Sequence, residues 1–179
     1  RGLGDVYKRQ DYNWKDEVIG DEDCLNLDIV RPDTNATLPV VVFLHGGGFF
    51  AGAYHTAVLR GHNFAKELDV VYVALNFRLG ALGYVDMSSL EVPDAFGCEA
   101  NPATRDQIMA LNWVQENIER FGGDPDNVVL MGESAGGTSA AALMAIPEAQ
   151  GLFHRVILQS APVMTVHTNA QSNLWARKL

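Results

Sequence analysis

Ser134 is the residue whose setting most favours chemistry. It lies in Gly132-Glu133-Ser134-Ala135-Gly136-Gly137, after the apolar run Asn127 to Met131 and before the small-residue run Thr138 to Ile146. A β-branched run favours a strand and an Ala-rich run a helix, so the hexapeptide reads as a sharp strand-to-helix turn with a serine at its tip. A serine hydroxyl is a poor nucleophile on its own, and a G-x-S-x-G turn projects it where a base can reach. Gly132 and Gly136 remove side chains that would collide in so tight a bend. The amide of Ala135 points outward with the positive end of the helix dipole behind it, which suits a developing oxyanion. The competing reading is a serine that merely caps the helix.

A second stretch bears on the same chemistry. His45-Gly46-Gly47-Gly48-Phe49 follows the continuously apolar Pro39 to Leu44, the pattern of a central strand covered on both faces. Three glycines in a row are costly in backbone entropy, and a flexible linker would not be flanked by Leu44 and Phe49-Phe50. The functional reading is a loop whose bare amides approach a substrate oxygen, the HGGG type of oxyanion hole; the bland one is a Gly-rich surface turn.

These stretches need a scaffold. Glu22 to Val30 reads as an early, half-buried strand closed by Arg31-Pro32, and Val70 to Leu75 as a further buried strand. Thr56 to Leu68 reads as a helix interrupted at Gly61, and residues 80–100 as an excursion without a period. Ala103 to Phe121 is the clearest helix, with Ile108, Leu111, Val114, Ile118 and Phe121 on one stripe and Gly122-Gly123 as its stop. Asp124-Pro125-Asp126 reads as the turn into the elbow strand, and Arg155 to Ser160 as the strand after the elbow helix. Strands alternating with helices in this order predict an α/β fold with a mostly parallel sheet and crossover helices.

In this order and context, Glu22-Asp-Cys-Leu-Asn-Leu27, His45-Gly-Gly-Gly-Phe49 and Gly132-Glu-Ser-Ala-Gly-Gly137 resemble the type-B carboxylesterase/lipase family of the α/β-hydrolase fold, which includes the cholinesterases. Asn76-Phe-Arg-Leu-Gly80, Asp106-Gln107 and Phe121-Gly-Gly-Asp-Pro125 also fit, and the resemblance covers about residues 21–165. It implies that Ser134 is acylated by a small-molecule ester, that Gly47, Gly48 and Ala135 supply the oxyanion amides, and that Glu133 lines the site. It makes Arg78 and Asp106 a structural ion pair; no metal or cofactor is expected, the five histidines being scattered without ligand spacing. The hormone-sensitive-lipase-like group shares His-Gly-Gly-Gly but typically has Asp before the serine and lacks the Glu-Asp-Cys-Leu strand; this chain sides with type B on both counts.

A nucleophile in this fold expects an acid and then a histidine further along the chain. After Ser134 come only Glu148, His154 and His167, and their settings (a turn after Pro147, a strand edge, a polar tail) suit none of them to that part. The chain is therefore read as the N-terminal part of one such catalytic domain over residues 21–179, the C-terminal part of the sheet and the triad acid and histidine lying outside it, with an apolar sheet edge after Ser160. Residues 1–20 are unpatterned, a frayed or appended segment. A non-catalytic cholinesterase-like binding domain or a non-functional fragment are the alternatives, although Ser134 and its flanking glycines are intact. A net charge of −9 argues against nucleic acid as a partner, and no run approaches the length of a membrane span. Cys24 and Cys98 form no metal set, and their pairing is open, as is the use of the sequon Asn35-Ala36-Thr37.

Overall fold

The computed structural model describes residues 23–56, 59–86, 88, 100–165 and 167–178. The segment 1–20, Glu22, Cys98 and most of the excursion after Asp86 lie outside the described residues.

Five strands form one sheet in the order β1-β3-β2-β4-β5, where β1 is Leu27–Val30, β2 Leu38–Leu44, β3 Val71–Leu75, β4 Gly123–Glu133 and β5 Arg155–Gln159. β2, β3, β4 and β5 run parallel; β1 pairs antiparallel with β3, setting Leu27 opposite Leu75. The helices are α1 (His62–Leu68), α2 (Gly80–Tyr84), α3 (Pro102–Asn117), α4 (Ala135–Leu143) and α5 (Asn169–Ala176). Because side chains alternate along a strand, the central strands feed two cores. Val40, Val42 and Leu44 pack with Val73, Leu130 and the stripe Ile108, Leu111, Val114 and Ile118 of α3, together with Ala140 and Leu143 of α4. On the other face Val41, Phe43, Tyr72 and Met131 pack with Ala65 of α1. Helices therefore cover both faces, the condition that lets β2 and β3 be apolar throughout.

Several boundaries differ from expectation, each for a local reason. Phe121 leaves the α3 stripe and is 40% exposed, because the helix tightens into a 3₁₀ turn over Ile118–Phe121 that rotates its last residue outward against Trp113. Asp124-Pro125-Asp126 is not a free turn but the start of β4, where Leu38 pairs with Gly123 before the register shifts, and a proline is tolerated where the ladder is interrupted. α1 begins only at His62, since Gly61 takes a left-handed φ of 69° that a continuous helix would not allow. α4 ends at Leu143, short of Ile146. The stretch 80–84, which shows no period, is the short helix α2.

Register places the two chemical stretches side by side. Leu44 is opposite Gly132 across the parallel β2–β4 pair, so His45 and Ser134 leave the sheet at the same end. Crossover helices return the chain for each new parallel strand, so successive strands reach this end in the same direction.

Candidate active site

Ser134 joins β4 to α4 with φ 52° and ψ −121°, a conformation that L-residues rarely adopt. Its amide donates to the carbonyl of Gln159 on β5 at 2.8 Å, which pins the turn from the neighbouring strand. It stands at the N-cap of α4, yet its side chain makes no capping hydrogen bond. The simple cap reading thus loses its physical basis, because a capping serine holds its position by accepting an amide of the first turn.

The flanking glycines are explained by close approach. A methyl group at Gly132 would run into the carbonyl of Gly136, and one at Gly136 into the carbonyl of Leu44. α4 therefore starts directly on the end of β2. Gly136→Ala is expected to push the helix off that strand, cost about 3 kcal/mol by overpacking against backbone that cannot yield, and displace Ser134. Urea denaturation of the variant checks it.

The glycine loop stands against the elbow. A methyl at Gly46 would collide with the Glu133 carboxylate and come within 3.1 Å of the Ser134 Cβ, so there is no room for a side chain between the loop and the elbow. Gly47 (φ 120°) and Gly48 (φ 61°) are exposed and in the left-handed half of the map. The carbonyl of Gly47 accepts the amides of Phe50 (3.2 Å) and Ala51 (3.0 Å), folding the loop back on itself. Ala135 is buried at the first position of α4. Gly47, Gly48, Ala135, Glu133 and Ser134 thus converge at one end of the sheet. Backbone amides beside a serine hydroxyl are among the parts an acyl-transfer site uses.

The remaining motifs turn out to be the frame of this loop. Asn76 is buried and binds Asn26 twice, by side chain (2.8 Å) and by backbone (2.9 Å), and its Oδ1 accepts the amide of Tyr54. Phe77 stacks on His45, whose ring is 2% exposed with Nδ1 2.8 Å from the Gly46 carbonyl. Arg78 grips Asp106 with Nη2–Oδ1 at 2.6 Å and Nε–Oδ2 at 2.8 Å, while the backbone amide of residue 78 donates to the same carboxylate at 2.9 Å. Gly80 donates to the carbonyl of Phe49 at 2.7 Å. The Asn26–Asn76 pair, the Phe77–His45 stack and the role of Gly80 were not assigned from sequence; the signal that could have found them is that each joins two of the quoted motifs.

The downstream candidates are engaged elsewhere. Glu148, 54% exposed, faces Arg105 at 3.5 Å. His154 Nδ1 accepts the amide of Val128 at 3.1 Å, and His167 stacks edge-on against Trp175. Glu148 and His167 line a cavity of about 720 Å³ beside the loop, together with Gly48, Phe49, Tyr84 and Trp175, but Ser134 is not among its lining residues. Among the described residues no His, Cys, Asp and Glu group could hold a metal ion, and no helix is long and apolar enough to cross a membrane.

Comparison with known proteins meets this geometry. Para-nitrobenzyl esterase of Bacillus subtilis (strain 168) is 46% identical over 146 residues, covering 81% of this chain and 29% of that protein. Human bile salt-activated lipase is 36% identical over 176 residues, covering 92% and 23%. A solved structure of a thermophilic PNB esterase superposes with a TM-score of 0.83 at 42% identity, over 92% of this chain and 33% of that one. The chain spans about a quarter to a third of the length of these relatives. The family model described as "Carboxylesterase family" matches residues 6–179, and with the elbow, the glycine loop and their frame in place the chain belongs to the carboxylesterase family, on the α/β-hydrolase fold.

Proposed function

We propose that this chain carries the nucleophile and oxyanion hole of a serine hydrolase that cleaves small-molecule carboxylic esters through an acyl-serine intermediate. The observation that carries the reading is Ser134 itself, held in a strained turn with a hydroxyl that caps nothing while the glycine loop stands against it. Family membership and the esterase relatives support the ester-hydrolase class.

In this reading Ser134 Oγ attacks the ester carbonyl carbon and gives its proton to a histidine outside the 179 residues, oriented by an acid also outside them. The carbonyl oxygen becomes an oxyanion held by the amides of Gly47, Gly48 and Ala135, with the α4 dipole behind the last. The intermediate collapses as the alkoxide leaves with the proton from the histidine. Water, deprotonated by the same base, then releases the carboxylic acid and restores Ser134. Glu133 lines the site beside the serine, and Arg78 and Asp106 serve as architecture.

A fluorophosphonate probe tests the assignment, since it reacts only with an activated serine. The complete gene product is expected to be labelled stoichiometrically on the peptide carrying Ser134, with loss of p-nitrophenyl acetate hydrolysis in step. A protein that hydrolyses the ester while Ser134 stays unlabelled overturns the reading.

A further inference from the structure

We propose that Tyr84 is a positioning residue that fixes the glycine loop relative to the start of α4, and so sets the separation of the two sources of oxyanion amides. This rests on the acyl-serine reading above.

Phe49, directly after Gly48, is a bulky residue at φ 69°, a conformation that costs on the order of 1 kcal/mol or more and persists only when its surroundings impose it. α2 imposes it from both of its ends. Its first residue, Gly80, donates to the Phe49 carbonyl at 2.7 Å. Its last, Tyr84, meets the Phe49 ring edge to face, with centroids 4.9 Å apart and planes at 71°. Such a contact is directional, so it fixes the ring's orientation as well as its distance.

The other end of Tyr84 reaches the opposite half of the site. Its hydroxyl is buried beside Ser139, one turn into α4, and Gln107 of α3, without reaching hydrogen-bonding geometry with either. Ser139 and Gln107 are themselves buried. Burial pushes the phenol up to about 12, the polar groups of Ser139 and Gln107 opposing the rise and the Asp106 charge adding to it, so the side chain stays neutral near pH 7. One rigid ring with two χ angles thus spans from Phe49 to the helix that carries Ala135. Removing it leaves Phe49 held to α2 only by the Gly80 backbone bond, and the far end of the loop loses its side-chain link toward α4.

The test is steady-state kinetics on the complete gene product with p-nitrophenyl acetate. Tyr84→Leu is expected to lower kcat about tenfold or more with KM within about twofold, because amides misplaced by a fraction of an ångström lose the oxyanion more than the ground-state ester. Tyr84→Phe, which keeps the ring against Phe49 but loses the hydroxyl beside Ser139, recovers only part of that loss. Phe49→Leu lowers kcat similarly, and the Tyr84→Leu/Phe49→Leu double variant is no worse than either single one, since both break the same link. An unchanged kcat in Tyr84→Leu, a loss confined to KM, or additive losses in the double variant overturn the proposal. If Tyr84→Leu does not fold, Phe49→Leu and its kcat–KM split decide alone, because Phe49 is only half-buried. Wild-type protein that the fluorophosphonate leaves unlabelled at Ser134 defeats the acyl-serine reading instead, separately from the variants.

Discussion

Ser134→Gly is expected to stabilise the fold by about 1 kcal/mol while removing esterase turnover. The backbone at φ 52°, ψ −121° is strained for any side chain but open to glycine, and such strain costs about 1–3 kcal/mol. Glycine gives back roughly 0.5–1 kcal/mol through the greater freedom of the unfolded chain, so relief wins by a small margin. The serine side chain offers little to lose, since it makes no capping bond. Ser134→Ala is the control: it keeps the strain and should unfold at the wild-type urea concentration. Both variants should lose about 10⁴–10⁶ in kcat, the scale of deleting a catalytic serine. Urea titrations of the three proteins, paired with ester assays, check this; a Ser134→Gly protein less stable than Ser134→Ala would sink the claim that the turn stores strain.

The second large effect concerns Arg78 and Asp106, and it is asymmetric. Asp106 is 3% exposed whereas the Arg78 side chain is 39% exposed. Arg78→Ala strands a buried carboxylate with one backbone amide for company, which is expected to cost about 3–5 kcal/mol. Asp106→Ala leaves a guanidinium that can reach water and should cost clearly less. Arg78→Lys keeps the charge but not the two-pronged grip, and should fall between wild type and Arg78→Ala. The damage reaches the site, because residues 76–80 hold the glycine loop through Phe77 and Gly80. Chemical denaturation measures the cost, and the rate of phosphonate labelling the loss of geometry. Equal destabilisation by the two alanine substitutions would contradict the argument.

The elbow and the glycine loop were legible because their requirement is local: glycines at fixed spacing around one serine, and three in a row after an apolar strand. The parallel sheet followed from the alternation of apolar runs and the α3 stripe. What escaped depends on contacts between distant segments. Nothing within Asn76-Phe77-Arg78 says that Asn26 and His45 will be its partners, and Tyr84 sits in a stretch with no period at all. Asp124-Pro125-Asp126 carries the composition of a turn, and only the pairing of Leu38 with Gly123 draws it into β4. Phe121 kept the spacing of the stripe but not its geometry, since the helix tightened beneath it.

The contact of Gly136 with the end of β2 has a mechanical consequence. A methyl there would meet the carbonyls of both Leu44 and His45, and His45 is also where the glycine loop begins. The first turn of α4, which follows Ser134, is thus in direct backbone contact with the residue from which the glycine loop departs. A shift of β2 toward α4 is blocked by that contact, so the elbow and the root of the loop cannot close on each other.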